Sequence, residues 1–494
     1  MSDAVRLAGI TKRFGGVTAL QDVSLAVPTG TMHAIVGENG AGKTTLMRVL
    51  YGAIRPDEGF VEVEGSKRDF HTSADAIRSG IGMVSQHYGV VTELSNLQNL
   101  ILGAEGGPFL DLPAAERRAQ ELAERMGYQF DWRASSAELS PAGQQKLEIL
   151  KLLWRGARTM ILDEPTAMLS PQDGEALFQS LRSLVDAGST VLLVTHRLPE
   201  VMDYCQGVTV LRAGERVADM PVAETNASEL ARLIVGGGEI PHETLEPAPT
   251  GETVFRIRGL AGGKLKGADL EIRTGELVGL AGVDGSGQRE LFRAVAGIER
   301  AKAGTIELFG SDAAPMDAAE RLKRGLRTIP EDRHDEAVIE DWSLVQNAAL
   351  GLQRDERLTR GGRIDLARLR EWAEKVAKRF STRHGGLDLP MASLSGGNQQ
   401  RFVAARALES EPRLILAFQP ARGLDLLGTA EVYGAIRERC RDGAAAIVVS
   451  FDLDELLEHC DRIVAISDGR ISEPPADKAR DRDAIGRLMT GAAA

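Results

Sequence analysis

The chain has 494 residues, of which 43% are hydrophobic and 26% charged, a composition typical of folded globular proteins and unlike disordered or collagen-like chains. Its 71 acidic and 59 basic side chains give a formal net charge of −12, which argues against a nucleic-acid binder and against direct adhesion to an anionic membrane surface. No apolar run approaches the roughly 20 residues that span a bilayer, and the first residues lack the apolar core of a secretory signal. Three scattered cysteines, Cys205, Cys440 and Cys460, favour a reducing compartment over a disulfide framework.

Two kinds of strand are predicted along the first half. Residues 23–27 and 60–64 alternate apolar and polar side chains, which is typical of antiparallel strands. Residues 32–37, 159–163 and 191–196 begin as continuous apolar runs, which favour buried parallel strands.

Helical segments follow these strands. Apolar residues recur every three or four positions over 43–54 and 143–156, which predicts a helix at each place. Strands that alternate with helices predict an α/β fold whose core is a mainly parallel sheet, and the alternating strands predict a small antiparallel β subdomain beside it.

The second half of the sequence repeats the first. TGTMHAIVGENGAG (29–42) aligns with TGELVGLAGVDGSG (274–287) at an offset of 245 residues. ILDEPTAMLS (161–170) aligns with LAFQPARGLD (416–425), where the offset has grown to 255. Two homologous domains are therefore predicted, and their bounds are 1–237 and 254–494, with a proline-containing linker over 238–253.

The first half contains a phosphate-loop pattern, G-x-x-x-x-G-K-[ST], between a predicted strand and a predicted helix. Its members are Gly37, Glu38, Asn39, Gly40, Ala41, Gly42, Lys43 and Thr44. Glycines let successive backbone N–H groups curl around an anion at the start of a helix. Lys43 is expected to reach the β- and γ-phosphates of a nucleotide, and the Thr44 hydroxyl to bind Mg²⁺.

Polar residues at the ends of other predicted strands suit the same chemistry. Asp163 is a candidate Mg²⁺ ligand, and Glu164 is placed to orient and deprotonate an attacking water. His196 ends a further apolar strand. Gln86 has a weaker case, because a neutral amide can contact Mg²⁺ or the lytic water, or simply cap a turn.

LSGGNQQR (394–401), the phosphate loop, ILDEPTA (161–167) and His196 together resemble the ATP-binding cassette (ABC) ATPases over essentially the whole chain. The tandem arrangement is similar to the ATPase subunits of bacterial ABC importers for monosaccharides and nucleosides. Within that group, three segments look most similar to the nucleoside-type branch associated with basic membrane lipoproteins: 147–167, 418–425 and 449–457. The resemblance implies two tandem phosphate-loop ABC ATPase domains, each with a parallel core sheet, an antiparallel β subdomain and a helical signature subdomain.

The resemblance also implies composite sites, in which the phosphate loop of one cassette and the LSGGQ-type signature of the other hold ATP. The first composite site has every expected part. Its catalytic residues would be Glu164, His196 and Gln86, and its Mg²⁺ ligands would be Thr44, Gln86 and Asp163. Its ATP contacts would be Gly37–Thr44, Thr45, Ser395, Gly396, Gly397, Asn398 and the interface residue Asp425. Phe14 is expected to stack on adenine, with packing beneath the β subdomain as the alternative.

The second composite site is predicted to be degenerate. It keeps the loop glycines Gly282, Gly285 and Gly287, but its other positions hold Gln288, Arg289, Glu331, Phe418, Gln419 and Phe451. Its signature partner holds Ser140, Pro141 and Ala142, and Ser170 stands where the interface aspartate is expected. We therefore expect one hydrolytic site and one that cannot run the same chemistry. Two alternatives remain open for the second composite site. It binds ATP weakly or not at all, or it binds ATP tightly without hydrolysis and Arg289 supplies charge.

The resemblance implies an ATPase that uses ATP and Mg²⁺ to power solute import at the cytoplasmic face of the inner membrane. The expected partners are integral membrane permease subunits, contacted beside Gln86 and residues 87–100, and a substrate-binding lipoprotein or periplasmic protein; no nucleic acid is expected. A nucleoside substrate is favoured, with a monosaccharide such as ribose as the alternative. A soluble ABC ATPase acting on ribosomes or DNA is a distant alternative, because the linker is short and the second loop lacks its lysine. An ATP-sensing scaffold would have lost Glu164 or Lys43.

Overall fold

The computed structural model describes residues 2–15, 17–38, 40–85, 89–105, 110–166, 169–236, 251–353, 355–360 and 362–491. The chain separates into two compact units, Met1–Ile240 and Pro241–Ala494. Residues 237–250, which include most of the predicted linker, lie outside the described residues. The linker was predicted to end at Thr253, and that residue begins a strand of unit 2.

Unit 1 contains strands and helices that alternate through most of its length. Its strands are β1 (Asp3–Phe14), β2 (Val17–Pro28), β3 (Met32–Gly37), β4 (Glu58–Val63), β5 (Ser66–Arg68), β6 (Ile81–Val84), β7 (Thr159–Asp163), β8 (Thr190–Val194), β9 (Gly207–Arg212) and β10 (Glu215–Pro221). Its α-helices are α1 (Lys43–Leu50), α2 (Ser73–Arg78), α3 (Asn96–Ile101), α4 (Leu112–Arg125), α5 (Pro141–Trp154), α6 (Pro171–Asp186), α7 (Leu198–Tyr204) and α8 (Ala227–Val235).

Among the described residues, unit 2 repeats this order and adds one short helix, α11, and a short hairpin, β17–β18. Its strands are β11 (Thr253–Gly262), β12 (Leu265–Arg273), β13 (Leu277–Ala281), β14 (Ala303–Leu308), β15 (Ser311–Asp312), β16 (Leu326–Ile329), β17 (Thr359–Arg360), β18 (Arg363–Ile364), β19 (Leu414–Phe418), β20 (Ala445–Ser450), β21 (Arg462–Ser467) and β22 (Arg470–Ser472). Its α-helices are α9 (Gln288–Ala296), α10 (Ala318–Lys323), α11 (Arg333–Glu336), α12 (Leu344–Ala348), α13 (Leu366–Arg379), α14 (Gly396–Glu409), α15 (Leu426–Arg441), α16 (Leu453–His459) and α17 (Arg482–Met489).

Each unit has the same two sheets. Its antiparallel sheet has the order β2-β1-β4-β5 in unit 1 and β12-β11-β14-β15 in unit 2. Its six-stranded sheet has the order β6-β7-β8-β3-β9-β10 in unit 1 and β16-β19-β20-β13-β21-β22 in unit 2. Within each six-stranded sheet only the last strand in this order is antiparallel to its neighbour. The predicted α/β class is confirmed.

The predicted elements of unit 1 are found with small shifts at their ends. Every residue of β3, β7 and β8 is buried, as the continuous apolar runs predicted. The helix predicted over 43–54 ends at Leu50, because Gly52 takes a positive φ of 70° and a Cβ there would lie 2.8 Å from the Thr72 carbonyl oxygen. The strand predicted over 191–196 ends at Val194, so His196 lies beyond it.

In unit 1 the helices α3, α4 and α5 share a hydrophobic cluster. Its buried centre is formed by Trp132, Leu147 and Trp154, on which α3 and α4 also pack. The matching part of unit 2 is centred on Met391 and Phe402, which belong to the large core of that unit. Both signature sequences therefore begin helices that rest on a packed base.

Candidate functional site

The loop between β3 and α1 is a tight turn that requires glycine at two positions. A Cβ on Gly37 would lie 2.2 Å from the Leu211 carbonyl oxygen, and one on Gly42 would lie 2.7 Å from that of Ala19. The φ angles of these glycines, 154° and 99°, are also ones that side chains disfavour. The turn therefore brings its backbone to the amino end of α1, where N–H groups and the helix dipole favour a phosphate.

The other loop members lie where the pattern predicted. Gly40 has a φ of 84°, Ala41 is buried, and Thr45 is half-buried in the first turn of α1. Asn39 lies outside the described residues.

Lys43 is held inside this turn. Its side chain is buried, and its ammonium donates hydrogen bonds to the carbonyl oxygens of Gly37 (2.6 Å) and Glu38 (3.0 Å). Burial lowers the pKa of Lys43, and the carboxylates of Glu164, Asp163 and Glu38 oppose part of that shift. The ammonium thus lies among negative groups, at the place where the loop N–H groups would meet a phosphate.

Thr44 and Asp163 form a pair of oxygen ligands. The Thr44 hydroxyl donates to the Asp163 carboxylate at 3.1 Å, and this carboxylate ends β7 almost fully buried. Burial raises the pKa of Asp163, and the hydrogen bond from Thr44 offsets part of the shift. A hydroxyl and a carboxylate are the hard ligands that Mg²⁺ takes in phosphate-loop enzymes, so these residues fit that ion.

Glu164 is positioned by an unusual backbone and by a histidine. Its φ angle is +50°, and its N–H donates to the Val194 carbonyl oxygen at 2.8 Å. Its carboxylate oxygen lies 3.1 Å from Nδ1 of His196. Burial raises the pKa of Glu164, but the hydrogen bond and charge of His196, with Lys43 and Arg197, outweigh burial and lower it. The carboxylate is therefore ionised at neutral pH and can accept a proton.

The corresponding turn in unit 2 has a similar glycine backbone but no lysine. Gly285 and Gly287 have φ angles of 84° and 115°, and a Cβ on Gly282 would lie 2.7 Å from the Ile466 carbonyl oxygen. Gln288 stands at the lysine position and is fully buried, with its amide donating to the Val283 carbonyl oxygen at 3.0 Å. The glutamine fills the space of the lysine but brings no positive charge.

Arg289, at the position of Thr44, is bound by two carboxylates of its own unit. Its guanidinium donates two parallel hydrogen bonds to Glu331, at 2.6 and 2.7 Å, and a third to Asp284 at 2.6 Å. The hydrogen bonds that Arg289 donates to Glu331, with the charge of both carboxylates, raise the pKa of Arg289. These two carboxylates already balance the positive charge of Arg289.

The strand ends of unit 2 have become part of the core. Phe418 replaces the first carboxylate, is buried, and packs edge-to-face on Phe292 and Phe451 with centroid distances of 5.9 and 5.8 Å. Gln419 replaces the second and keeps its backbone, with a φ of +45° and an N–H that donates to Val449 at 2.7 Å. Phenylalanine rings therefore stand at the positions that Asp163 and His196 hold in unit 1.

The two signature serines are used differently. Ser140 caps α5, with its hydroxyl oxygen accepting from the Gly143 N–H at 3.2 Å. Ser395 precedes α14 without accepting a helix N–H, and its hydroxyl oxygen accepts from the Asn398 side chain at 2.9 Å. Pro141 has no N–H to offer a ligand, whereas Gly396 has one.

The remaining predicted residues lie near helix starts or on the surface. Asp425 caps α15 and accepts from the Gly428 N–H at 2.6 Å, and Ser170 caps α6 in the same way. Phe14 ends β1 with 48% of its area exposed, so its ring is not packed beneath the sheet. Ala142 is half-buried in α5, and Gln86 lies outside the described residues.

Sequence reasoning missed two features of unit 2. Nη2 of Arg333 lies 2.7 Å from where a Cβ on Gly396 would be, and its Nε donates to Gln399 at 3.1 Å, so an arginine is held against the signature helix. No motif marks this residue. The acidic partners of Arg289 could have been found, because Asp284 and Glu331 stand where unit 1 has Asn39 and Gln86.

One glycine-rich loop with its lysine and its hydroxyl, together with two carboxylates at the end of β7, defines a phosphate-loop nucleoside triphosphatase. The family model described as "ABC transporter" matches residues 20–167 and 265–421. The chain belongs to this family, with two tandem domains that match its model, and it is an ATPase.

Several relatives align with this chain over nearly their whole length. The ribose import ATP-binding protein RbsA 2 of Rubrobacter xylanophilus is 37% identical over 99% of this chain and 94% of its own length. The glucose import ATP-binding protein TsgD13 of Haloferax volcanii is 35% identical over 99% and 96%. The nucleoside import ATP-binding protein NupA of Lactococcus lactis is 34% identical over 99% and 98%.

Proposed function

We propose that this chain is the ATP-hydrolysing subunit of an importer and that hydrolysis takes place at the loop of unit 1. The observation that carries the proposal is the contrast between the two loops: only unit 1 combines a loop lysine with the Thr44–Asp163 pair and the Glu164–His196 pair.

In this proposal Lys43 and the loop N–H groups bind the β- and γ-phosphates of ATP. Glu164 accepts a proton from the water whose oxygen attacks the γ-phosphorus, and ADP leaves with the bridging oxygen. His196 orients the Glu164 carboxylate and keeps it ionised. General-base catalysis of this kind contributes about 10²- to 10⁴-fold. Mg²⁺, held by Thr44, Asp163 and Gln86, would neutralise phosphate charge.

The start of α14 is proposed as the second phosphate-binding element, through Ser395, Gly396, Gly397 and Asn398. A Ser395 hydroxyl that does not cap its helix supports this role, as does the positive end of a 14-residue helix. Arg333 adds positive charge beside Gly396.

The loop of unit 2 is proposed to be non-hydrolytic and closed to nucleotide. The ion pairs of Arg289 with Glu331 and Asp284 support this, because a phosphate would have to displace three charge-assisted hydrogen bonds. Of the two outcomes left open by the sequence, we therefore favour weak or no binding.

The proposed cargo is a nucleoside, on the likeness of three segments to the nucleoside-type branch. Ribose is the second candidate, because relatives described as ribose importers are 37% identical to this chain. Integral membrane permease subunits and a substrate-binding lipoprotein or periplasmic protein are the proposed partners, with this chain at the cytoplasmic face of the membrane. No helix among the described residues is long and apolar enough to cross a bilayer.

Uptake tests the proposal. Cells would carry this gene with its chromosomal neighbours, as wild type or as Glu164→Gln, and uptake of radiolabelled nucleosides and of ribose would be measured. We expect nucleoside uptake to be lost in the variant. Loss of ribose uptake alone would identify ribose as the cargo. Uptake of both solutes that is independent of Glu164 would refute the proposed role.

A further inference from the structure

A buried carboxylate bridges the two loops that carry Glu164 and His196. Glu200, in the first turn of α7, is 8% exposed and accepts hydrogen bonds from two threonine hydroxyls. Thr195 donates to Oε2 at 2.8 Å, Thr166 donates to Oε1, and both threonines are buried. Thr166 follows Glu164 by two residues. Thr195 directly precedes His196, so one carboxylate joins the two loops.

This bridge begins where the backbone pairing of β7 and β8 ends. The last paired residues are Asp163 and Val194, and the Glu164 N–H donates to the Val194 carbonyl oxygen at 2.8 Å. In the described ranges no later backbone hydrogen bond joins the two loops. The side chain of His196 is 48% exposed, so its packing alone does not fix its distance from Glu164. The link through Glu200 supplies a fixed point on each loop.

The hydroxyl next to His196 also closes a turn. The Thr195 oxygen accepts from the Arg197 N–H at 3.0 Å, and this hydrogen bond encloses His196 in a short turn. Nη1 of Arg197 lies 3.6 Å from Oε1 of Glu200. Glu200 therefore contacts the turn on both sides of the histidine.

Unit 2 has the equivalent carboxylate with a different second partner. Glu455 stands at the position of Glu200, at the repeat offset of 255 residues. It accepts a hydrogen bond from the Ser450 hydroxyl at 3.2 Å, as Glu200 accepts one from Thr195. Its other oxygen accepts from the Tyr433 hydroxyl, which belongs to α15. This carboxylate joins the loop after β20 to a helix instead of to the loop after β19.

Two paired substitutions account for this difference. Ala421 stands in unit 2 where unit 1 has Thr166, and Phe178 stands in unit 1 where unit 2 has Tyr433. Each of the two rings stacks on the last residue of the next α-helix, with centroid distances of 4.2 and 4.3 Å. The rings therefore have the same place in both units. A carboxylate at this position can obtain its second hydroxyl from the helix, so its hydrogen bonding does not require one from the loop.

We propose that Glu200 is a positioning residue for ATP hydrolysis. Its carboxylate holds the loop after β7, which carries Glu164, against the loop after β8, which carries His196. The inference rests on the proposed function, which gives these two residues their roles. Unit 2 has Gln419 and Phe451 at their positions, so it has no catalytic pair to align. A small misplacement of a reacting group can lower a rate about 10²-fold, which gives the bridge its importance.

Transfer of the unit 2 arrangement into unit 1 separates positioning from simple hydrogen bonding. Thr166→Ala combined with Phe178→Tyr gives Glu200 a hydroxyl from α6 in place of the one from the loop. We expect kcat to fall about tenfold or more while KM for ATP stays unchanged, because the loops lose their link but the ATP contacts remain. Phosphate release is measured on the full chain assembled with the membrane subunits encoded next to its gene. Thermal melting checks that the variant is folded.

Single substitutions at the same threonine provide a second test. Thr166→Val removes the hydroxyl at nearly constant volume and should lower kcat in the same way, whereas Thr166→Ser keeps the hydroxyl and should retain the wild-type rate. Tyr433→Phe is the matched change in unit 2. It removes a hydroxyl from the equivalent carboxylate, so it should lower the melting temperature and leave kcat unchanged.

Coupling to His196 shows whether the bridge acts through the catalytic pair. Thr166→Val should lower kcat much less in a His196→Ala chain than in wild type, because the distance that the bridge fixes no longer matters. Equal losses in the two backgrounds would overturn this inference, and so would wild-type kcat in folded Thr166→Val and Thr166→Ala/Phe178→Tyr chains. Either result would leave the proposed function standing. Unchanged hydrolysis in Glu164→Gln would overturn both.

Discussion

The loop between β3 and α1 and the loop between β13 and α9 share two glycines with positive φ angles, 84° and 99° in the first loop and 84° and 115° in the second. In unit 1 this turn encloses an ammonium, and a hydroxyl and two carboxylates lie beside it. In unit 2 it encloses an amide, and beside it stand an arginine already bound by carboxylates and a pair of phenylalanines packed edge-to-face. The turn is therefore maintained by close packing of the backbone, while a few side chains decide whether it can carry out chemistry.

Glu164 and Gln419, which follow equivalent strands of the two units, also share a backbone and differ in side chain. Both have a left-handed backbone, with φ angles of 50° and 45°, and both donate an N–H to the neighbouring strand. Such a backbone is often a sign of function. Here it persists in the unit that has lost the carboxylate, so it belongs to the fold.

The largest expected effect on ATP hydrolysis is a difference between substitutions of Glu164 and Gln419. Glu164→Gln removes the proton acceptor and should lower ATP hydrolysis by about 10²- to 10⁴-fold while ATP still binds. Gln419→Glu is the matched change and should add no activity, because Gln288 and Phe418 still replace the lysine and the aspartate. Steady-state phosphate release measures both, and a gain of hydrolysis in Gln419→Glu would break the comparison.

The signature serines should differ in the same direction. Ser395→Ala should lower hydrolysis about tenfold or more, because it removes a hydrogen bond to a charged phosphate. Ser140→Ala should leave hydrolysis unchanged and cost about 1 kcal/mol of folding free energy, because it removes a helix cap. Equal losses of activity would show that both signatures serve hydrolytic sites.

The pH dependence of hydrolysis tests the role of His196. In wild type the hydrogen bond and charge of His196 help to hold the pKa of Glu164 below its usual value against the opposing effect of burial. His196→Ala leaves burial in place, so the pKa of Glu164 should rise and the acidic limb of the rate profile should move to higher pH. An acidic limb that does not move would show that His196 does not set the ionisation of this carboxylate.

The smallest effect concerns the Arg289 cluster. Arg289 is about half exposed, so Arg289→Ala should lower the free energy of unfolding by only about 1 kcal/mol. Hydrolysis should not change, because the proposed site uses no atom of this cluster. Urea denaturation and phosphate release measure the two quantities, and a large loss of hydrolysis would place the second loop in the catalytic cycle.

Much of the fold could be predicted from the sequence, because glycine patterns and short apolar runs are local. The strand over Met32–Gly37 and the loop after it were predicted without error. The site of unit 1 followed from the family pattern. The acidic partners of Arg289 could have been predicted from the aligned repeats, whereas the position of Arg333 beside Gly396 depends on residues distant in sequence that no motif brings together.

The number of nucleotides bound per chain tests the central claim most directly. Equilibrium dialysis of Glu164→Gln with labelled ATP and Mg²⁺ avoids turnover and counts the sites that hold nucleotide. The asymmetry of the two loops predicts a plateau at one ATP per chain. A plateau at two would mean that the Arg289 cluster opens for phosphate, and the closed second loop would be contradicted.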